Sequence, residues 1–187
     1  MIAASRVPVL AVHGAPREAP RIVLAAVDDS ETGLCVIEHA RALAERFSAR
    51  GEAVHVLPPQ AIQRSLTLGD VAGHDSRVSA AERQLVRATQ GRLSQTAKKL
   101  KSSVVVGDPA EAILAEARHT GSHLLVIGRE RGTQRFSLGS VASVVTRVAN
   151  CPVLVIPGAT ARAHARGREF MPAVASAEDA VFTGSPT

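Results

Sequence analysis

A loop rich in glycine and arginine separates an apolar run from a helical repeat. The loop extends from Gly128 to Ser140 and has the sequence GRERGTQRFSLGS. The residues before it, HLLVI, have the character of a buried strand, and the valines after it recur at helical spacing. The first residues of a helix have free backbone N–H groups and the positive end of the helix dipole, which suit a phosphate. This order therefore predicts an anion site, although a surface loop with solvated arginines fits the same residues.

The residue types of the loop suit such a site. Gly128 allows the backbone to come close to a ligand, and Gly139 and Ser140 begin the helix and present a hydroxyl. Positive charge beside the pocket comes from Arg129, Arg131 and Arg135. The loop is thus predicted to hold an anionic group at the end of a strand, where the ligands of open parallel sheets bind.

Alternating strand and helix patterns must position this loop. The predicted strands are residues 21–27, 52–57, 102–106, 123–127 and 153–156. The predicted helices are at about residues 31–48, 77–100, 109–120 and 140–149. Residues 60–76 show no firm period and form either a loop or a short helix. Alternation of this kind indicates βαβ units, so the chain is predicted to form a parallel sheet with right-handed crossovers.

Polar residues mark two helix starts. Asp28-Asp29-Ser30 follow the first strand, and their side-chain oxygens can accept the free N–H groups of the next helix. Asp108 stands before Pro109, and these residue types are favoured at the N-cap and at the first helical position. Both helices are therefore predicted to begin just beyond the carboxyl end of a strand.

Composition limits the classes of function. The 187 residues are 45% hydrophobic, enough for one domain with a sizeable core, and no apolar run reaches the ~18 residues of a membrane-spanning helix. The net charge of +5 comes from scattered basic residues, and the absence of Trp and Tyr disfavours base stacking on nucleic acid. Two cysteines do not make a disulfide framework, and the N-terminus has no long apolar signal segment. We therefore expect a cytoplasmic protein with neither nucleic acid nor membrane as partner.

Catalytic and metal sites have little support. The sequence contains neither a Gly-x-Ser-x-Gly elbow nor a Walker A loop. His119 and His123 have the spacing of a helical metal pair, but Gly121 between them predicts a helix end that separates the two side chains. Cys35 lies near a helix start, where a thiol has either a lowered pKa or, more commonly, a buried and inert position.

Two apolar runs of the chain are similar to each other. Residues 7–15 read VPVLAVHGA and residues 151–159 read CPVLVIPGA. Either the similarity is chance, or the N-terminal run is the last strand of a lost preceding copy of the domain.

The chain from Arg21 to Gly158 resembles the universal stress protein family. The landmarks of the family occur in order: Ala26-Val27-Asp28 with Ser30 beyond it, His55-Val56, Val106-Gly107-Asp108-Pro109, Leu125-Val126-Ile127-Gly128, Leu138-Gly139-Ser140-Val141 and Cys151-Pro152-Val153-Leu154-Val155. The resemblance implies a Rossmann-like α/β sandwich of the adenine nucleotide α-hydrolase type. It implies a five-stranded parallel sheet of order 3-2-1-4-5 with helices on both faces, and a homodimer formed through the fifth strand.

For the loop, the resemblance implies adenine-nucleotide binding. Family members that bind ATP have the pattern Gly, two residues, Gly, nine residues, Gly, then Ser or Thr. Gly128 and Gly139-Ser140 fit its ends, but Arg131 stands where the second Gly belongs and Gly132 comes one residue late. Ten residues separate Gly128 from Gly139 where the pattern has twelve. A loop two residues shorter must hold phosphates differently, or not at all.

Carried over by position, the resemblance gives each site residue a role. Asp28 would bond the ribose or the adenine, Val56 would lie against the adenine, and Ile127 would lie beside the sugar. Ala26 stands where ATP-binding members can have Pro. The phosphates would be surrounded by Gly128, Gly132, Gly139 and Ser140. Each role has an ordinary alternative, since the polar residues can cap helices and the apolar ones can belong to the core.

The ends of the chain extend beyond the predicted domain of residues 21–158. Residues 1–20 form an N-terminal extension, and residues 159–187, rich in Ala, Gly, Pro and Arg, are predicted to be a disordered tail. In the family the fifth strand is a sheet edge that pairs with its copy in a partner, and an uncovered apolar edge favours aggregation. Residues 7–12 are therefore predicted to form an extra strand antiparallel to residues 152–156, which would block that dimer.

Three functions remain open from the sequence. The first is a stress-response regulator that binds ATP and hydrolyses it slowly at most. The second is a stress protein without a nucleotide, which acts through dimer or partner contacts. The third, ranked last, is an enzyme of the wider nucleotide-hydrolase-like superfamily.

Overall fold

The computed structural model describes residues 5–12, 19–65, 74–129 and 139–158. In chain order the elements are β1 (Val9–Ala11), β2 (Ile22–Val27), α1 (Glu31–Arg46), β3 (Arg50–Leu57), α2 (Pro59–Ser65), α3 (His74–Thr96), β4 (Lys101–Val106), α4 (Pro109–Thr120), β5 (Leu124–Arg129), α5 (Ser140–Val148) and β6 (Val153–Pro157). Each strand and main helix predicted from the sequence has a counterpart here. The short α2 lies at the start of the segment that the sequence left open between a loop and a short helix.

The sheet has six strands in the order β1-β6-β5-β2-β3-β4. Strands β2 to β6 pair with one another in parallel, and β1 is antiparallel to β6. The predicted five-stranded parallel sheet of order 3-2-1-4-5 is therefore wrong for the sheet as a whole, which is mixed. The difference arises because the apolar N-terminal run occupies the outer edge of β6, as its own sequence led us to expect.

Helices cover both faces of the parallel strands. Successive side chains of a strand point to opposite faces, and here the side chains on both faces are apolar and need to be covered. On one face, strand residues such as Val23 and Val126 pack with α1 and with the end of α3. On the other face, Leu24 and Leu125 pack with α4 and α5. Strands buried on both faces need continuous apolar sequences, and β2 reads IVLAAV. None of the helices in the described ranges combines the length and the apolar character that crossing a lipid bilayer requires.

Both predicted helix starts are confirmed. The Ser30 hydroxyl caps α1 and accepts a hydrogen bond of 3.1 Å from the N–H of Gly33. The Asp108 carboxylate caps α4 and accepts bonds of 3.0 and 3.1 Å from the N–H groups of Ala110 and Glu111. These caps turn the chain into a helix directly after β2 and after β4.

Candidate functional site

The connections of the sheet diverge between β2 and β5. From β2 the chain passes through α1 to β3 on one side, and β5, the neighbour on the other side, leads on to α5 and β6. Connections that diverge in this way open a crevice outside the carboxyl ends of the two strands, where the ligands of such sheets bind. β2 and β5 pair in register there, with Ala26 opposite Ile127.

Three predicted contact residues share one face of the sheet near this crevice. Ala26 and Ile127 are 8% and 3% exposed, and Val56 is half-buried. All three pack in the cluster that contains α4 and α5. The structure brings them together, but it buries Ala26 and Ile127 in the core, so Val56 has the most surface to offer a ligand.

Asp28 is tied to the start of α1. The residue is exposed, and its Oδ1 accepts hydrogen bonds from the backbone N–H of Ser30, at 3.1 Å, and from the Ser30 hydroxyl. Gly33 faces the same turn, because a Cβ added to it would lie 2.2 Å from the carbonyl oxygen of Asp28. Asp28 thus supports the cap of α1 and presents its other carboxylate oxygen at the carboxyl end of β2.

The absence of a side chain at Gly128 serves the packing of α1. A Cβ added at Gly128 would lie 2.9 Å from Cγ2 of Thr32 and 3.5 Å from Cγ2 of Val36. The sequence predicted that this glycine lets the backbone approach a ligand. The structure shows that the first turns of α1 make a close approach to it.

Gly139 and Ser140 form the start of α5, as predicted. Gly139 is the N-cap, with φ 77° and ψ 152°, and no side chain bonds the cap. A non-glycine residue is strained in this conformation. Ser140 is exposed and is the first residue of the nine-residue α5. The N-cap residue therefore leaves the backbone N–H groups of the first turn without a side-chain acceptor of its own, which is the arrangement that suits an anion.

Arg129, which the sequence analysis predicted to add positive charge beside the phosphate pocket, contacts the N-terminal segment of the chain. It is the last residue of β5, is 6% exposed, and lies opposite Pro157 of β6. Its Nη2 donates a hydrogen bond of 2.6 Å to the carbonyl oxygen of Ser5. The strand extends two residues further than the apolar run indicated, because Gly128 and Arg129 continue the pairing with β6. Arg131, Gly132 and Arg135 lie outside the described residues.

The cysteines are buried thiols rather than activated ones. Burial raises the pKa of the Cys35 thiol above its ordinary value, and the nearby carboxylates of Glu38 and Glu31 raise it further. Burial also raises the pKa of the Cys151 thiol, against a smaller opposing effect of a backbone hydrogen bond at Leu125. The possibility of a lowered pKa at Cys35 is therefore wrong, because desolvation outweighs the helix start.

The histidine pair is separated, as the sequence predicted. Gly121 ends α4 in the left-handed region with φ 65°, between His119 and His123. Within the described ranges, no group of three or more His, Cys, Asp or Glu side chains is arranged to hold a metal ion.

A polar cavity that the sequence did not indicate lies at the opposite end of the sheet. It has a volume of about 210 Å³ and is lined by Arg50, Glu52, Lys101, Ser103, Glu116, His119 and Thr120. Glu52 is buried and forms an ion pair of 2.8 Å with Nε of Arg50, and the Ser103 hydroxyl donates to Oε1 of Glu116 at 3.1 Å. These residues come from three separate elements, and no spacing in the sequence brings them together.

The model of the universal stress protein family matches residues 20–157. This chain belongs to the universal stress protein family. The universal stress protein MJ0577 of Methanocaldococcus jannaschii is 29% identical over 155 residues, which cover 72% of this chain and 93% of that protein. The universal stress protein YxiE of Bacillus subtilis is 24% identical over 143 residues, which cover 72% of this chain and 97% of that protein.

Several solved structures share the fold of this chain. The structure of MJ0577 has a TM-score of 0.62 at 21% identity and covers 75% of this chain and 97% of that chain. A universal stress protein solved in complex with cAMP has a TM-score of 0.50 at 21% identity and covers 75% of this chain and 98% of that chain. The protein PA1789 of Pseudomonas aeruginosa has a TM-score of 0.59 at 20% identity and covers 87% of this chain. This chain spans 56% of PA1789, little more than half.

Proposed function

We propose that this universal stress protein binds an adenine nucleotide, ATP, outside the carboxyl ends of β2 and β5. It acts there as a cytoplasmic stress-response regulator without rapid chemistry of its own. The observation that carries the proposal is the start of α5. The N-cap of α5 is Gly139, which has no side chain, so this residue brings no capping oxygen to the first N–H groups of the helix. A triphosphate supplies the anion that this helix start favours.

Asp28 supports the same proposal from the other strand. One oxygen of its carboxylate is engaged by Ser30, and the side chain is exposed at the carboxyl end of β2. A carboxylate accepts hydrogen bonds from vicinal hydroxyls, so a ribose fits at this strand and the phosphates at α5. Val56 is half-buried and offers an apolar surface to the base.

Related proteins favour a nucleotide over other anions. A universal stress protein of the same fold has been solved with cAMP, which shares its adenine and ribose with ATP. Gly128 and Gly139-Ser140 fit the ends of the family's ATP pattern. The binding unit is a single copy of the chain whose β6 edge is covered by β1.

A second function is favoured by one observation. The loop between Gly128 and Gly139 is two residues shorter than the ATP pattern and has Arg131 in place of its second glycine. These features fit a stress protein that works through protein contacts and holds no nucleotide.

Nucleotide analysis of the purified protein separates the two functions. The protein is purified without added nucleotide and denatured, and the supernatant is analysed for adenine nucleotides by chromatography. Calorimetric titrations with ATP, ADP and cAMP follow. We expect ATP to bind at least tenfold more tightly than cAMP, because three phosphates offer more charge to α5 than one. The absence both of co-purified nucleotide and of heat with any of the three would establish the second function instead.

A further inference from the structure

Two neighbouring strands become polar at the same end of the sheet and on the same face. β3 and β4 pair in parallel, with Glu52 opposite Lys101. Further along, this face of the two strands carries Val54, Val56 and Val105, which pack in the cluster with α4 and α5. At the amino ends of the strands charged residues replace the valines, and the polar cavity of about 210 Å³ lies there, under the second half of α4.

The wall of this cavity contains a buried carboxylate. The side chain of Glu52 is 7% exposed, whereas that of Arg50, its ion-pair partner at 2.8 Å, is 60% exposed. Replacing a buried ion pair by apolar residues is often neutral or stabilising, so such a pair is weak evidence for a role in stability. Valine at this position would serve the packing of α4 as Val54 does on the same strand. The buried charge therefore calls for a role other than packing.

A second carboxylate enters the cavity from the helix. Glu116 of α4 is half-buried, and its Oε1 accepts a hydrogen bond of 3.1 Å from the hydroxyl of Ser103 on β4. An ionised carboxylate has about four acceptor sites, so Glu52 and Glu116 keep capacity beyond their contacts with Arg50 and Ser103. α4 ends four residues after Glu116, and the negative end of its dipole adds to the same field. The inner wall therefore suits a positively charged donor.

The opening of the cavity is basic. Lys101 is exposed on the edge strand β4, and in the described part of the chain its ammonium forms no ion pair, although Glu52 lies opposite it in the sheet. Arg50 is exposed on the neighbouring strand, and His119 is exposed in the last turn of α4. The cavity thus separates two carboxylates inside from two basic side chains, Arg50 and Lys101, at its opening.

We propose that this cavity binds a small zwitterion of the class of the free α-amino acids. The ammonium of the ligand donates to Glu52 and Glu116 at the inner wall, and its carboxylate pairs with Lys101 at the opening. The volume limits the ligand to a small side chain, because 210 Å³ is the share of only about seven water molecules. The site lies at the opposite end of the sheet from the crevice at the carboxyl ends of β2 and β5, and it does not depend on the nucleotide.

Ligands of a single charge match the cavity less well. An anion would meet the two carboxylates at close range, and like charges disfavour its binding. A simple amine would bond both glutamates but would leave Lys101 without a partner. A metal ion lacks ligands, because no group of three or more His, Cys, Asp or Glu side chains among the described residues is arranged to hold one. A molecule with one charge of each sign satisfies both the wall and the opening.

Three small molecules of similar size test the two charges separately. L-alanine carries both charges, propionate lacks the ammonium, and L-alaninamide lacks the carboxylate. Each is titrated to about 20 mM into the isotope-labelled full chain at neutral pH, and the amide NMR signals are followed. L-alanine should shift the signals of Glu52, Ser103 and His119, which lie on three elements that meet at the cavity. Propionate should bind at least tenfold more weakly than L-alanine, because it meets the two carboxylates.

The contribution of the ligand's carboxylate is expected to be smaller. L-alaninamide should bind about threefold more weakly than L-alanine, since Lys101 is exposed and its pairing is screened by solvent. In Lys101→Met this difference should disappear, so that L-alanine and L-alaninamide bind equally. Lys98→Met is the matched control, because Lys98 is also exposed and does not line the cavity. The threefold preference should persist in Lys98→Met.

The two glutamates test the site of the ammonium. Glu116→Gln keeps an oxygen that accepts from Ser103 and removes the charge, so it should weaken the binding of L-alanine about tenfold. Glu111→Gln is the control, because Glu111 is an exposed carboxylate in the first turn of the same helix. Glu52→Gln should weaken binding by a similar factor. If the loss of the ion pair with Arg50 unfolds that variant, the result with Glu116→Gln decides.

The proposal fails if L-alanine at the highest concentration shifts none of these signals, because the cavity then holds solvent alone. Equal affinity for the three molecules would also overturn it, since neither charge would then be recognised. Shifts that persist unchanged in Glu116→Gln would place the binding elsewhere. None of these results depends on ATP, so a failure of the proposed nucleotide site is distinguished from a failure of this one.

Discussion

The guanidinium of Arg129 donates a hydrogen bond of 2.6 Å to the carbonyl oxygen of Ser5, 124 residues earlier in the chain. The bond connects the last residue of β5 with the segment before β1. Because Arg129 is 6% exposed, little water competes for the bond, and a charged donor makes it stronger than a neutral one would. Arg129 directly follows Gly128 at the end of β5, where the nucleotide crevice is proposed. Its side chain therefore connects this end of β5 with the segment that precedes the edge strand β1.

Replacing Arg129 should loosen β1 while the domain stays folded. Arg129→Met keeps the apolar stem and removes the charged donor. Loss of such a bond is worth about 1.5–3 kcal/mol, so amide hydrogen exchange at residues 9–11 should accelerate roughly ten- to hundredfold. Arg147→Met is the control, because its guanidinium is exposed and makes a long contact of 3.5 Å with Ser143 of its own helix. Unchanged exchange together with a large loss of ATP affinity would show that Arg129 serves the phosphates instead.

The start of α5 can be tested with two matched glycines. Gly139 and Gly121 both have positive φ, at 77° and 65°, and an added Cβ at either would meet no atom of the described residues within 4 Å. Gly139→Ala and Gly121→Ala should each reduce stability by about 1–3 kcal/mol, because alanine is strained in these conformations. Gly139→Ala alone should weaken ATP binding, by about tenfold in calorimetry, since it displaces the first N–H groups of α5. Equal ATP affinity in both variants would remove α5 from the site.

Two substitutions can distinguish the structural role of the Asp28 carboxylate from its proposed role in ATP binding. Asp28→Asn keeps an oxygen that can accept from Ser30, whereas Asp28→Ala removes it. Asp28→Ala should therefore lower stability by about 1 kcal/mol, and Asp28→Asn by less. Both should weaken ATP binding by about tenfold if the charge bonds the ribose. The control is Asp29→Ala, whose carboxylate makes an exposed 3.5 Å ion pair with Arg92. A loss of affinity that follows stability across all three variants would mean that Asp28 only caps α1.

The strands and helices were predictable because their signals are local. β2 is continuously apolar, Asp108-Pro109 marks a helix start, and Gly121 ends a helix in the left-handed conformation that glycine favours. The N-terminal strand was predictable for a different reason, since its sequence repeats that of β6. The sheet is mixed only because of this antiparallel strand, and the sequences of the parallel strands gave no indication of it.

The site was less predictable, because side-chain direction depends on pairing between distant strands. The residues before Gly128 indicated a strand that ends at Ile127, but pairing with β6 continues the strand to Arg129 and turns this side chain toward Ser5. The role of Gly128 depends on the position of Thr32, which the sequence separates from it by almost a hundred residues. The polar cavity around Glu52 and Glu116 arises in the same way, from elements that meet only in the fold.

The two thiols should make stability depend on pH in the alkaline range. Burial raises the folded-state pKa of Cys35 and of Cys151 above the ordinary value of 9.0. A raised folded-state pKa means that unfolding becomes easier once the unfolded thiol ionises. The contribution is complete below the ordinary pKa and is lost as the pH rises through it toward the folded-state pKa. Urea midpoints should fall above about pH 9 in the wild type and fall less in Cys35→Ala/Cys151→Ala. Rapid alkylation of folded protein at pH 8 would contradict the burial of both thiols.

The tight packing of α1 against the carboxyl ends of the strands predicts a large loss of stability when a side chain is added there. A Cβ at Gly33 would lie 2.2 Å from the carbonyl oxygen of Asp28, a backbone atom that cannot move without shifting the helix start. Gly33→Ala should therefore destabilise the protein by about 3 kcal/mol in urea unfolding, at the upper end of overpacking effects. Gly91→Ala is the matched helical control. Its Cβ would meet nothing within 4 Å, so alanine should stabilise α3 by up to about 1 kcal/mol.

A second contact of α1 tests the same packing, because one substitution there should partly restore the stability that another removes. A Cβ at Gly128 would lie 2.9 Å from the methyl carbon of Thr32, and Thr32→Ser removes that methyl but keeps the hydroxyl. Gly128→Ala should cost about 1–3 kcal/mol, and adding Thr32→Ser should recover about 1 kcal/mol of that loss, a positive coupling between residues in contact. Thr32→Ser paired with Gly33→Ala should recover nothing, because the obstacle there is the backbone of Asp28. Additive effects at Gly128 and Thr32 would show that α1 lies farther from β5 than this contact requires.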